Sequence, residues 1–132
     1  MFNVQSPRTD DAGIEQLIQA KGKTAPRVTP DDIEANIISE HYFTAKSAAT
    51  YGDVDSVNIW HFDEDYGKEK IPLSLLTFCV LVLRNGFTVT GESSCVSPEN
   101  FNAHIGQKVA RQNAVNKIWP LMGYALKEKL SA

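Results

Sequence analysis

Leu73-Ser74-Leu75-Leu76-Thr77-Phe78-Cys79-Val80-Leu81-Val82-Leu83, Arg84-Asn85-Gly86-Phe87 and Thr88-Val89-Thr90-Gly91-Glu92-Ser93 follow one another without a break, and their reading decides the fold. Two β-rich runs flank Asn85-Gly86. That dipeptide is the strongest short-range hairpin signal, because a two-residue type I′ turn needs positive φ at both central positions. With Asn85-Gly86 as the loop, Arg84 faces Phe87, Val82 faces Val89, Leu81 faces Thr90 and Cys79 faces Glu92. Phe78, Val80, Val82, Phe87 and Val89 then share the face expected to pack on a helix. The opposite face carries Leu75, Cys79, Leu81 and Leu83 on the first strand, against Thr88, Thr90 and Glu92 on the second. A strand apolar on both faces is central or covered. An N-terminal helix or a second copy of the chain is therefore expected over that face. In this register Cys95 lies opposite Leu76, away from Cys79.

Downstream, Ser97-Pro98-Glu99 reads as a cap, a first-position proline and a first-turn acid. A helix is expected over 98–119, with Phe101, Ile105, Val109, Ala110, Ala114 and Ile118 as its apolar stripe. Pro120 should break or kink it. A shorter helix then runs to about Lys129. Upstream, Thr29-Pro30-Asp31-Asp32 opens a second helix, expected over 30–40 with Ile33, Ile37 and Ile38 on one face. Tyr42 and Phe43 are expected to plug the edge of the core. Residues 44–56 read as loop, 57–62 as a strand and 63–70 as a charged connection. Thr9, Asp10 and Asp11 open a short amphipathic helix over 10–21, which Gly22 stops. The expected class is α+β. It has a small antiparallel sheet of about three strands (57–62, 74–83, 87–93), packed against a long C-terminal helix and an N-terminal helix. Residues 1–28 read as an N-terminal appendage with a short helix and linker, and 29–132 as a single domain.

A chain of 132 residues accommodates one core comfortably. Its 42% hydrophobic and 22% charged content fits an ordinary folded domain. The net charge of −3 hides an asymmetry: 7 Lys/Arg against 13 Asp/Glu over residues 1–70 (−6), and 6 against 3 over 71–132 (+3). The acidic half argues against a general nucleic-acid binder. The apolar run ending at Leu83 is too short to span a bilayer, which takes about 20 residues. The first residues lack the charged and apolar regions of a secretory signal. A cytoplasmic protein is expected, with Cys79 and Cys95 as thiols. His41, His61 and His104 are scattered, so neither a metal site nor a cofactor is expected. Gly22-Lys23-Thr24 matches only the end of a phosphate loop. Leu17 stands where its first glycine belongs, and no strand precedes it.

Three constellations bear on chemistry. The junction Glu92-Ser93-Ser94-Cys95 ends a strand ahead of a helix, where a thiol pKa can fall. His104 is the nearest base in sequence, so a small enzyme using Cys95 or His104 is one reading. A buried, inert cysteine is the commoner fate. His104, Lys108 and Arg111 recur at helical spacing. With Arg84 they could hold a nucleotide or nucleic acid, although a solvated helix face explains the same stripe. Trp60 and Trp119 are either core or interface anchors. The ligand-binding candidates are thus Arg84, Glu92, Ser93, His104, Lys108 and Arg111. No catalytic residue stands out.

Ile38-Ser39-Glu40-His41-Tyr42-Phe43-Thr44-Ala45, Leu75 to Val80, Asn85 to Ser93, Ser97 to Phe101, Ile105-Gly106, Ala110-Arg111, Ala114 and Ile118-Trp119-Pro120 together resemble the small tailed-phage accessory proteins of the gene product 49 / gene product 66 family. The resemblance covers roughly residues 30–130. It implies a phage or prophage gene expressed in the bacterial cytoplasm and a non-structural product, and it assigns no catalytic residue. The expected function is non-enzymatic: binding of a host protein or a host-derived small molecule, possible counter-defence among its uses. A homo-oligomer through the second sheet face is also open.

Overall fold

The computed structural model describes residues 10–23, 25–51 and 72–132. In chain order its elements are α1 (Asp11–Ala20), α2 (Pro30–Ala35), β1 (Ile37–Thr44), α3 (Ala45–Tyr51), β2 (Leu76–Leu83), β3 (Thr88–Ser94) and α4 (Ala103–Ser131), with a 3-10 turn at Pro98–Asn100. The sheet is antiparallel in the order β1-β2-β3. It packs against α4, giving the expected α+β architecture with helices at both ends of the chain.

Local chemistry starts the helices. Asp10, rather than Thr9, caps α1 by accepting from the Gly13 N–H. At α2, Thr29 and Asp32 form a reciprocal capping box, with Pro30 in the first turn. This helix is shorter than the expected 30–40. It ends at Asn36, and Ile37 and Ile38 belong to β1. The three isoleucines fit a helical face, but Tyr42 and Phe43 pull the run into the extended state that suits aromatic side chains. The third strand of the sheet is therefore 37–44. The expected strand over 57–62 lies outside the described residues, as do Trp60, His61 and the charged stretch 63–70. Part of the expected loop at 44–56 is helix α3. Thr44 and Ser47 bond each other's backbone N–H at 3.1 Å to open it.

The hairpin stands where Asn85-Gly86 marks it, with a different register. The Leu83 N–H donates to the Phe87 carbonyl and the Gly86 N–H to the Leu83 carbonyl, at 2.8 and 2.9 Å. Arg84, Asn85 and Gly86 thus form a three-residue loop, and Gly86 alone takes positive φ, at 88°. This is the type I turn with a bulge glycine, the second common hairpin solution for the same dipeptide. Leu81 consequently faces Val89, Val82 faces Thr88, Cys79 faces Gly91 and Phe78 faces Glu92. Cys95 lies across from Leu75, whose carbonyl takes its N–H.

The one-residue slip exchanges the faces of β2, while Val89 of β3 stays in the core as expected. Thr77, Cys79, Leu81, Leu83, Val89 and Ser93 are buried, whereas Phe87 is 56% exposed. Phe78, Val80 and Val82, expected in the core, point outward, where Phe78 stacks on Phe43 at 5.5 Å. Gly91 marks where β3 comes closest to α4. A Cβ there would come within 2.1 Å of the Ala110 carbonyl and 2.3 Å of the Ala114 nitrogen. Backbone meets backbone, so only glycine fits, and Gly91 must face α4.

The core unites Ile33, Cys79, Leu81, Leu83, Val89, Ala110, Ala114, Val115 and Ile118. Helix α4 begins at Asn102, whose side chain accepts from the Ile105 N–H, and not at Ser97. Its buried stripe is Gly106, Ala110, Ala114, Val115 and Ile118. Ile105 is exposed, and Phe101 and Val109 are only half-buried. The helix also continues through Pro120. That proline forfeits one backbone bond on a solvent-facing turn, and the residues beyond it remain helical.

Candidate functional site

Arg111 projects from α4 toward the edge formed by α2 and β1. Its two terminal nitrogens donate to the Glu34 carboxylate at 3.0 and 2.7 Å, and its Nε donates to Glu40 at 3.1 Å. The Tyr42 hydroxyl donates to the other Glu40 oxygen at 2.9 Å. Hydrogen bonding to Glu34 raises the Arg111 pKa, and the same bond lowers that of Glu34. Partial burial, then the bond to Glu40, pushes the Tyr42 hydroxyl well up. Two carboxylates already meet this guanidinium. It cross-links α2, β1 and α4 and has little charge left for a ligand.

The other expected site residues do not gather around it. His104 and Lys108 are exposed in the first turns of α4. Glu92 points outward, and its backbone carbonyl accepts from the Asn113 amide at 2.7 Å. Ser93 is 1% exposed, and its hydroxyl finds no partner among the described residues. Cys95 is buried, and its thiol donates to the Ser97 carbonyl at 3.2 Å, not to a base. Burial raises the Cys79 thiol pKa, which leaves it protonated and inert. Both cysteines are free. Among the described residues no three metal-ligating side chains cluster.

Arg84 stands beside the end of α2. Its N–H is held by both the carbonyl and the side-chain oxygen of Asn36, at 3.0 and 3.2 Å, which ties the hairpin to the end of α2. Its side chain borders an open cleft of about 480 Å³, walled by the 27–36 segment and the last turns of α4. Met122 lines this cleft, so Lys108 is about 21 Å further back along the helix axis, at 1.5 Å per residue. Arg84, Lys108 and Arg111 therefore do not converge on one anion.

The cleft has an apolar floor of Val28, Ala35, Met122 and Leu126, and a rim that includes Arg27, Asp32, Arg84 and Lys129. Arg27 is engaged by Glu15 at 2.6 and 2.8 Å, a pairing that holds the Glu15 pKa at about 2. Asp32 is occupied by the Thr29 N–H. Among the described residues Arg84 and Lys129 have no carboxylate partner. A second hollow of about 300 Å³ shares Asn36, Met122 and Ala125 with the first and adds Phe87 and Leu121. The two make one groove with apolar pockets and two unmet cations. Sequence reasoning singled out only Arg84 here. The rest depends on α4 running on past Pro120, which brings Leu121, Leu126 and Lys129 alongside the hairpin.

Helix α1 lies beside the middle of α4, where Asp11 accepts from the Trp119 indole N–H at 3.2 Å and from the Gln112 amide at 3.4 Å. Trp119 thus packs against the core with its polar edge satisfied. No helix among the described residues is long and apolar enough to cross a membrane.

A family model described as "Phage protein (N4 Gp49/phage Sf6 gene 66) family" matches residues 28–130. No curated protein and no solved structure matches the chain.

Proposed function

The chain belongs to the phage protein family of N4 Gp49 and phage Sf6 gene 66, and from that premise we propose that it is a non-enzymatic accessory protein that binds a host protein or a host-derived small molecule in the bacterial cytoplasm. Interference with a host defence is one use of such binding. The observation that carries this reading is the groove at the hairpin end. It is open and apolar, and it keeps two cations that the fold does not consume. Binding sites combine these features: apolar area for affinity and a few polar groups for orientation. The thiol and imidazole candidates lend no comparable support to an enzyme. Cys95 is sealed and bonded to a carbonyl, and His104 is a solvent-facing side chain.

The test is retention of cargo from infected host cells by the tagged chain, analysed for both proteins and small molecules. Wild type should retain a specific species that Leu121→Glu loses, since that change puts a charge in the apolar part of the groove. A clean blank with wild type, or equal retention by the variant, would overturn the assignment.

A further inference from the structure

Resting on the binding role of this groove, we infer that its occupant is a protein segment in which acidic residues flank large apolar side chains. Charge complementarity is the first argument. Arg27 is paired with Glu15 and Asp32 is the one lining carboxylate, held by a backbone N–H, so Arg84 and Lys129 leave the groove with a net positive charge toward a partner. A second copy docking groove to groove about a two-fold axis would bring two Arg84 and two Lys129 together, which like-charge repulsion opposes. The form of the site is the second argument. Two hollows of about 480 and 300 Å³ lie side by side along an open surface, joined at Asn36, Met122 and Ala125. Successive side chains of a polypeptide fill such paired hollows, with its carboxylates on the rim, in the manner of a helix or strand laid in a groove. Phe87 and Leu121, 56% and 42% exposed, are the apolar contacts such a segment would cover.

The probe is a random peptide library panned on the immobilised full chain. Sequences with Asp or Glu beside Leu, Phe or Trp should be enriched. Their binding should weaken about tenfold in R84E/K129E, and binding to the wild type should weaken as salt rises toward the physiological range, as expected of exposed charge pairs. Both replaced side chains are exposed, and R84Q/K129Q serves if the reversed pair perturbs the melting temperature. Enrichment of neutral or basic sequences, no enrichment at all, or undiminished binding to a folded double variant would each overturn the inference. A nucleotide or other small molecule as the cargo retained from cells, displaced by R84Q/K129Q, would also overturn it while leaving the broader binding role intact. A blank from cells alongside acidic library ligands would do the reverse.

Discussion

The two halves of α4 use opposite side chains for opposite ends. Up to Ile118 the helix buries its smallest residues, Gly106, Ala110 and Ala114, hard against the sheet. Beyond Pro120 it leaves large ones, Leu121, Tyr124 and Leu130, 42%, 71% and 55% exposed. Hydrophobic size alone would reverse this allocation. The difference teaches that burial here is set by how closely backbones approach. The first half meets Gly91 at contact distance and has no room for bulk at Ala110 and Ala114, though Val115 and Ile118 fill the core beside them. The second half runs alongside the hairpin and carries bulk at Leu121, Tyr124 and Leu130 that the described fold leaves exposed. A helix built this way has one face for its own core and, near its end, another that the described fold leaves uncovered.

Three changes would break or sharpen that contrast. The largest effect belongs to Gly91→Ala. Its Cβ would enter the space of the Ala110 carbonyl and the Ala114 nitrogen, and neither can swing aside. We expect a loss of about 3 kcal/mol or more, the upper range for forced overpacking, read by urea denaturation. A loss under about 1 kcal/mol would show that the two backbones are not locked together.

Next is Arg111→Ala, which leaves Glu34 and Glu40 unpaired beside each other. These carboxylates are about half exposed, at 56% and 42%, so the discounted loss is about 1 kcal/mol at neutral pH. The pH dependence has a definite sign. Hydrogen bonding to Arg111 lowers the folded-state pKa of Glu34 below its ordinary 4.5. The folded protein therefore binds fewer protons than the unfolded chain in that range. The contribution is fully present above about pH 4.5 and is lost as pH falls through the depressed value. Glu15 acts in the same sense between 4.5 and about 2, held down by its hydrogen bond to Arg27. Melting temperatures taken from pH 6 downward should fall less steeply in Arg111→Ala than in wild type. Parallel curves would refute the role given to the clamp.

The smallest effect on stability is expected in the uncovered half. Phe87→Ser with Leu121→Ser should change stability by no more than about 0.5 kcal/mol per site, while abolishing capture of a partner. Substantial destabilisation with binding intact would show that this surface serves the fold alone.

How much of this was legible follows from the same physics. Caps are local, so Thr29-Pro30 and the start of α1 could be read almost to the residue. The hairpin position was equally plain from Asn85-Gly86. Its register was not, because the dipeptide serves both a two-residue and a three-residue loop, and either one gives Val89 an apolar partner. Gly91 faces α4 in both, so the choice falls on which face of β2 packs against the helix, and Cys79, Leu81 and Leu83 take that place. Ile37 and Ile38 were misread as helix because their spacing from Ile33 suits both states until Asn36 ends the turn. Of the site residues, Arg84 was legible as the basic residue of an exposed turn. Arg111 was visible as a charge but not as a consumed one, since Glu34 and Glu40 lie more than seventy positions away. Lys129 and Met122 were hidden by Pro120, whose local rule predicts an end to the helix that packing overrides.

The contact at Gly91 also bears on how such a chain can change over generations. A glycine in a strand and two alanines one turn apart on a helix form a joint that no single substitution can enlarge. A lineage that gained a side chain at 91 would first have to move α4 outward. That movement would shift Leu121, Met122 and Lys129 relative to Arg84 and reshape the groove. The residues of the joint are thus coupled to the shape of the groove. The groove itself can vary at Phe87, Leu121 and Lys129, one substitution at a time, while the joint behind them stays as it is.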